Sequence, residues 1–257
     1  MRYPAISKES FSSMRNALRL LNLFTIEEPE LTLSDIAEKL QVAPSTAHRL
    51  IHTLLYSGML VKEPLTKMYR PSSSILSMGN TFLSKYNLCQ ISIPILEELT
   101  QKTGETAHVS IIRESKVIYL YKVDSQHPVH LLSHAGKQNP IHCTSTGQVI
   151  LAYQRDEIIQ QVIDAGLPSY TSETIVSEVK FRERLSIIQK QGYAVSQEEL
   201  HLGVTSIAAP IFYKGQVIAS VSIAGPTVRM KGPKLETLIK SVKLASTTIS
   251  KKMMIEK

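Results

Sequence analysis

Adjacent His142 and Cys143 form the pair in this sequence with the strongest claim to reactivity, because an imidazole that accepts the thiol proton generates a thiolate nucleophile. Neighbours on an extended chain point to opposite sides, however, and no acidic residue stands close in sequence to orient the imidazole. No catalytic residue is assigned on this basis. His127, His130, His134 and His142 carry metal-ligating nitrogens, but their spacing fits no compact zinc signature. With two cysteines in all, Cys89 and Cys143, a four-cysteine site and a disulfide framework are excluded as well. Gly203, Gly215 and Gly225 make no phosphate-binding loop, so neither a metal nor a nucleotide cofactor is expected.

A different chemistry suits the segment that begins at Pro44. Projected as a helix, it places Ala47, Leu50, Ile51, Leu54 and Leu55 on one stripe and Ser45, Arg49, His52, Thr53 and Tyr56 opposite, with Thr46 and His48 on the flanks. Every residue of the polar face can hydrogen-bond and none is acidic. A helix in a DNA major groove requires this, since base edges offer donors and acceptors while the flanking phosphates repel carboxylates. An ordinary solvated helix normally mixes Glu and Asp with Lys.

The elements around this helix give it a frame. Met14, Ala17, Leu18, Leu21 and Phe24 recur at three- and four-residue steps and predict a first helix, broken by Glu27, Glu28, Pro29 and Glu30. Ser34 is the expected N-cap of a second helix, with Asp35 in its first turn, and Pro44 opens the third. After Gly58, Met59–Val61 and Met68–Arg70 predict two strands around a turn containing Pro64, a hairpin placed as a wing. Lys62, Lys67 and Arg70 on this wing are suited to phosphate contacts, which position a protein on DNA without reading sequence. Ile75, Met78, Phe82 and Leu83 then predict a connecting helix, and the domain boundary is expected near residue 87, giving domains 1–86 and 87–257.

Beyond the boundary the pattern becomes α+β. A helix is expected from Ile91 to Lys102 with Pro94 in its first turn. Strands are expected at Ala107–Arg113, Lys116–Val123 and Val129–Ser133, helices at Gly147–Gln154, Asp156–Ala165 and Val179–Gln191, strands at Val204–Tyr213 and Gln216–Ile223, and a last helix from Pro233. The whole chain of 257 residues is 43% hydrophobic and 20% charged, enough for packed cores and too polar for a membrane helix. The first apolar stretch, ALRLLNLF, contains Arg19 and Asn22 and is followed by no small-residue cleavage site, so a cytosolic protein is expected. The net charge of +7 suits a polyanionic partner but is spread along the chain and places no face by itself.

The string LTLSDIAEKLQVAPSTAHRLIHTLLYSGML, followed by the wing and YRPSSSILSMG, resembles the winged helix-turn-helix of IclR-type transcriptional regulators. The later motifs IHCTSTGQVILA and QGYAVSQEELHLGVTSIAAPIFYKGQVIASVSIAGP resemble the family's effector domain, a GAF-like antiparallel sheet flanked by helices. Arg15 occupies the position of the family's first-helix arginine, and Gln41 a turn position that commonly holds glycine; a left-handed conformation there costs a non-glycine residue about 1 kcal/mol or more. The resemblance implies operator DNA as partner, a homodimer or dimer of dimers, and a repressor of a catabolic operon answering to a small organic or sugar acid. It also implies effector contacts from Ser145, Thr146, Ser196 and Ser206, hydroxyls that can bind a carboxylate or a sugar. The family's acidic residue before the paired glutamates and its Gly-Lys-Ala are here Ser196-Gln197 and Gly147-Gln148-Val149, which predicts recognition mainly by neutral hydrogen bonds. An enzyme or storage protein built on the second domain is the rival reading, disfavoured by a winged helix with no accompanying catalytic constellation.

Overall fold

The computed structural model of the chain describes residues 13–25, 27–126 and 133–255. Its contacts separate into two compact units, Met1–Leu83 and Ser84–Lys257. Among the described residues no helix is long and apolar enough to cross a membrane.

The first unit holds α1 (Ser13–Leu21), α2 (Leu33–Leu40), α3 (Pro44–Tyr56) and the hairpin β1 (Leu60–Lys62) and β2 (Tyr69–Pro71), and α4 (Ser73–Lys85) leads out of it. Leu20, Ile36, Leu40, Ala47, Leu50, Ile51 and Leu54 meet in one core that Leu60 and Tyr69 close from the hairpin. The N-cap of α2 is Thr32 and not Ser34. The Thr32 hydroxyl accepts from the Asp35 amide at 3.2 Å while the Asp35 carboxylate accepts from the Thr32 amide at 2.9 Å, a reciprocal pair that a cap at Ser34 would forfeit. Gln41 does take the left-handed conformation, with φ 57° and ψ 48°. Leu31, next to the cap, pairs with Tyr69 and adds a rung to the hairpin.

In the second unit α5 (Asn87–Thr103), β3 (Thr106–Arg113), β4 (Lys116–Val123), β5 (Gln138–Pro140), α6 (Ser145–Leu151), α7 (Asp156–Asp164), α8 (Glu178–Gln191), β6 (Ala194–Gln197), β7 (Val204–Tyr213), β8 (Gln216–Pro226) and α9 (Pro233–Ile255) follow in order. The strands form one antiparallel sheet in the order β5-β4-β3-β8-β7-β6. Helices α5 and α9 pack together against β3, β4, β7 and β8, while α6 lies across the sheet backed by α8, around a core that includes Val149, Leu151, Phe181, Ile188 and Ala208.

Several boundaries differ from expectation. Helix α5 starts at Asn87, so Pro94 lies inside it; buried Leu88, Ile91, Ile95, Leu96 and Leu99 supply packing that outweighs the missing amide. Helix α6 starts at Ser145 and not at Gly147, because Thr144 caps it by accepting from the Gly147 amide at 3.2 Å. Of the strand expected at Val129–Ser133, residues 129–132 lie outside the described residues and Ser133 is in no strand. The edge beside β4 is instead the three-residue β5, and β6, too short for a periodic signal, was not expected at all.

Candidate nucleic-acid interface and ligand cavity

Helix α3 buries Ala47, Leu50, Ile51 and Leu54 and exposes Ser45, His48, Arg49, His52, Thr53 and Tyr56, with Thr46 half-buried, as its period dictates. Thr53 donates to the Arg49 carbonyl at 3.0 Å, and the other exposed polar groups project to solvent. No side chain caps the first turn, where Pro44 has no amide and the Thr46 amide bonds the Ala43 carbonyl at 2.9 Å, so the Ser45 amide is left at the positive end of the helix. Lys62 and Lys67 are exposed on the wing, Lys67 at the turn with φ 60°. Arg70 is exposed but stands 3.9 Å from both Glu30 and Glu63, which answer part of its charge. Arg15 is half-buried on α1. The face as a whole offers hydrogen-bonding groups for base edges and cations for phosphates.

In the second unit a cavity of about 400 Å³ opens between β3, β4 and the ends of β6 and β7. Ser196 and Ser206 line it, Ser196 donating to the Cys143 carbonyl at 3.2 Å. Ser145 lies behind them, fully buried, and donates to the Ser206 hydroxyl at 2.8 Å, which leaves the Ser206 proton free for a ligand acceptor. Thr146 is buried and does not line the cavity; its carbonyl accepts from Ser220 at 3.4 Å. Gly147 holds this arrangement together: a Cβ there would strike the backbone of Ile141, so only glycine lets the helix start approach the preceding segment.

The cavity has walls that the sequence did not announce. His108 stacks on Tyr119 with ring centroids 4.5 Å apart and meets the Ser133 hydroxyl at 3.0 Å, and Lys122 donates to the Ser133 carbonyl at 2.7 Å. Burial, with Lys122 nearby, pushes His108 down to about 3, so it is a neutral ring in the wall. Asn139, Lys137 and His201 also line it, and burial together with Lys137 lowers the pKa of His201. Lys137 adds a cation to a wall that otherwise offers neutral hydroxyl, amide and ring groups. Inward-facing His108 could have been read from its alternation with Ala107 and Val109 on a strand. Lys137, in a turn, gives no such signal.

Behind the cavity Gln148 donates to the His142 carbonyl at 2.8 Å and to the Glu199 carboxyl at 2.6 Å. Burial pushes Glu199 up to about 7 against the lowering influence of Arg184. His142 is engaged by the Pro168 carbonyl at 2.9 Å, and burial raises Cys143 to about 12, which favours the protonated thiol. His127 and His130 lie outside the described residues, and among those described no group of His, Cys, Asp and Glu gathers into a metal site.

Residues 80–251 match the family model "Bacterial transcriptional regulator IclR C-terminal", and residues 13–64 match "IclR helix-turn-helix domain". The chain is 29% identical over 240 residues to the HTH-type transcriptional regulator BhcR of Paracoccus denitrificans, covering 93% of this chain and 86% of that protein. To the transcriptional repressor IclR of Escherichia coli it is 29% identical over 222 residues, covering 85% and 81%. The crystal structure of the Thermotoga maritima IclR superposes with a TM-score of 0.79 at 26% identity, covering 94% of this chain and 98% of that one.

Proposed function

Because the chain belongs to the IclR family of bacterial transcriptional regulators, we propose that it is a cytosolic repressor of a catabolic operon whose hold on its operator is set by a small organic or sugar acid. The observation that carries the DNA half is the exposed face of α3, where six hydrogen-bonding residues occur without one carboxylate. Arg49, His48, His52, Ser45, Thr46 and Thr53 read base edges, while Lys62, Lys67, Arg70 and Arg15 hold phosphates. Residues 1–86 act as the DNA-binding domain and 87–257 as the effector domain.

Ser206 and Ser196 present hydroxyls to the effector in the cavity and Ser145 orients Ser206, while Thr146, expected beside them, stays buried behind the cavity and takes no part in the contact. A carboxylate there gains the Ser206 proton and the charge of Lys137, and sugar hydroxyls find Asn139 and Ser196. The protein acts as a homodimer or dimer of dimers, because one winged helix spans few base pairs and two-fold half-sites multiply specificity. Exposed Met14 and Leu18 on α1 and Leu76 and Met78 on α4 supply apolar surface for a second copy.

Thermal-shift screening of the full chain against organic and sugar acids, followed by footprinting with and without the acid that stabilises it, tests this reading. A stabilising acid that changes operator protection is the expected result. Stabilisation with no effect on any DNA complex overturns effector control, and the absence of any sequence-selective footprint overturns the regulator itself.

A further inference from the structure

A second cleft, separate from the effector cavity, lies where the far end of β7 meets the last turns of α9. Its volume is about 460 Å³, within the range of small-molecule sites. The two sites share one strand: Val204 and Ser206 line the effector cavity, and Ala209, Pro210 and Phe212 line the cleft. At about 3.4 Å per residue their lining residues stand roughly 10 to 27 Å apart along β7.

Their chemistry differs. Tyr153 packs edge-on against Phe212 with centroids 5.4 Å apart, and Pro210 and Met254 extend the apolar surface. The hydroxyls nearby are already engaged. Ser246 donates to the Pro210 carbonyl at 2.6 Å, Ser250 accepts from the Phe212 amide at 2.9 Å and donates to the Ser246 carbonyl at 2.8 Å, and Thr247 donates to the Lys243 carbonyl at 2.9 Å. What remains to meet a polar ligand is a set of amines. Lys214, Lys243 and Lys251 line the cleft, and no carboxylate does so among the described residues. Lys243 already donates to the Gln191 carbonyl at 3.1 Å and the Lys214 amine lies over the Tyr213 ring, 5.2 Å from its centroid, but among the described residues neither Lys214 nor Lys251 is paired with a carboxylate, so both charges are unanswered.

We propose that this cleft binds an amphipathic monoanion, a medium-chain carboxylate or its like, with the tail against Tyr153, Phe212 and Met254 and the head between Lys214 and Lys251. Apolar walls exclude the polyhydroxylated acids suited to the effector cavity, because their hydroxyls would lose water and find no partner. The amines select charge: an anion gains attraction at a half-shielded site, a cation is repelled, and a neutral alcohol gains only the apolar contact. An open cleft of small-molecule size with apolar walls and lysines in its lining suits a single anionic head group with one apolar tail.

Titration calorimetry on the full-length protein with decanoate, below its micellar range, tests the assignment. One decanoate is expected to bind per chain, with decanol at least tenfold weaker and decyltrimethylammonium not bound. The double variant Lys214→Gln/Lys251→Gln should weaken decanoate tenfold or more, and Ser206→Trp, which fills the effector cavity, should leave it unchanged. Absence of saturable binding overturns the proposal, as does equal affinity in the lysine variant, which would mark apolar adsorption only. Loss of binding in Ser206→Trp would place the decanoate in the effector cavity. A changed sedimentation mass of the lysine variant, with no decanoate binding by the wild type, would make the cleft an interface between copies instead.

Discussion

In the function proposed above, operator discrimination turns on Arg49, which is exposed at the middle of α3 and whose guanidinium can bond a guanine edge in bidentate fashion. Arg49→Ala should lower the preference for the operator by about 1–3 kcal/mol, measured as the ratio of specific to non-specific binding at fixed salt; an unchanged ratio removes Arg49 from the readout. Lys67→Ala, on the wing, should weaken all duplexes alike and reduce the salt slope by about one, and a sequence-selective loss would count against the wing as a phosphate clamp. In the other unit Ser206→Ala removes the hydroxyl that Ser145 orients. The expected cost is about 1.5–3 kcal/mol, a ten- to hundredfold loss of effector affinity with operator binding intact, read by calorimetry with the acid that emerges from the screen. Glu199 carries a pH dependence of its own. Burial raises its pKa from 4.5 to about 7, so the folded chain binds this proton more tightly than the unfolded chain. Stability from this group is complete below pH 4.5 and declines as pH rises to about 7. Glu199→Gln should therefore match the wild type in acid and exceed it by about 3 kcal/mol near pH 8, in thermal melts across pH. A variant that is equally stable at both ends would show that the carboxyl ionises freely in the fold.

At the scale of elements, two helix starts decide whether side chains arrive where they are needed. The reciprocal Thr32–Asp35 pair fixes the start of α2, and through it the left-handed turn at Gln41 that delivers α3. Thr32→Ala should cost the first unit about 1 kcal/mol, seen as a lower midpoint in denaturant with an unchanged slope. A second helix start, that of α6, depends on Gly147, and Gly147→Ala forces a methyl into the Ile141 backbone. About 1–3 kcal/mol of destabilisation is expected, together with weaker effector binding as Ser145 moves; a neutral Gly147→Ala would mean the segment gives way easily. The long elements were legible in the sequence because a face buried over two or more turns, or over eight to eleven strand residues, repeats its period often enough to be seen: α3, β3, β7 and β8 lie close to where they were expected. The short ones were not. Strands β5 and β6 have three and four residues, and Thr32 and Ser34 are both hydroxyl residues before an acid, so only the hydrogen-bond geometry separates them. The serines of the cavity were placed by resemblance. Its other walls, His108, Tyr119, Asn139 and Lys137, meet the serines only because β3 pairs with β8 across a long sequence gap, and local pattern carries no trace of that pairing.

At the scale of the molecule, the question is how a recognition helix of 13 residues yields specific binding. The net charge of +7 provides attraction to any duplex and no selectivity. A single module bound mainly through phosphates holds DNA at roughly 10⁻⁴–10⁻⁶ M at physiological salt, whereas specific regulators reach roughly 10⁻⁸–10⁻¹¹ M. The two-fold pairing proposed above would close that gap by adding a second half-site at little further entropic cost. The apolar surface proposed for this pairing is on the first unit, where Met14 is 76%, Leu18 58%, Leu76 65% and Met78 61% exposed. Apolar side chains exposed on two helices of one unit gain if a second copy covers them. The double variant Leu18→Glu/Met78→Glu changes only exposed positions, so each unit should keep its fold by circular dichroism while like charges oppose pairing. Sedimentation should then give a lower mass, and operator affinity should fall at least a hundredfold while affinity for random duplex changes little. If the variant keeps both its mass and its operator affinity, pairing runs through another surface and the faces of α1 and α4 have no part in it. A lower mass with undiminished operator affinity would show that one winged helix suffices, and the two-fold account of specificity would fall with it.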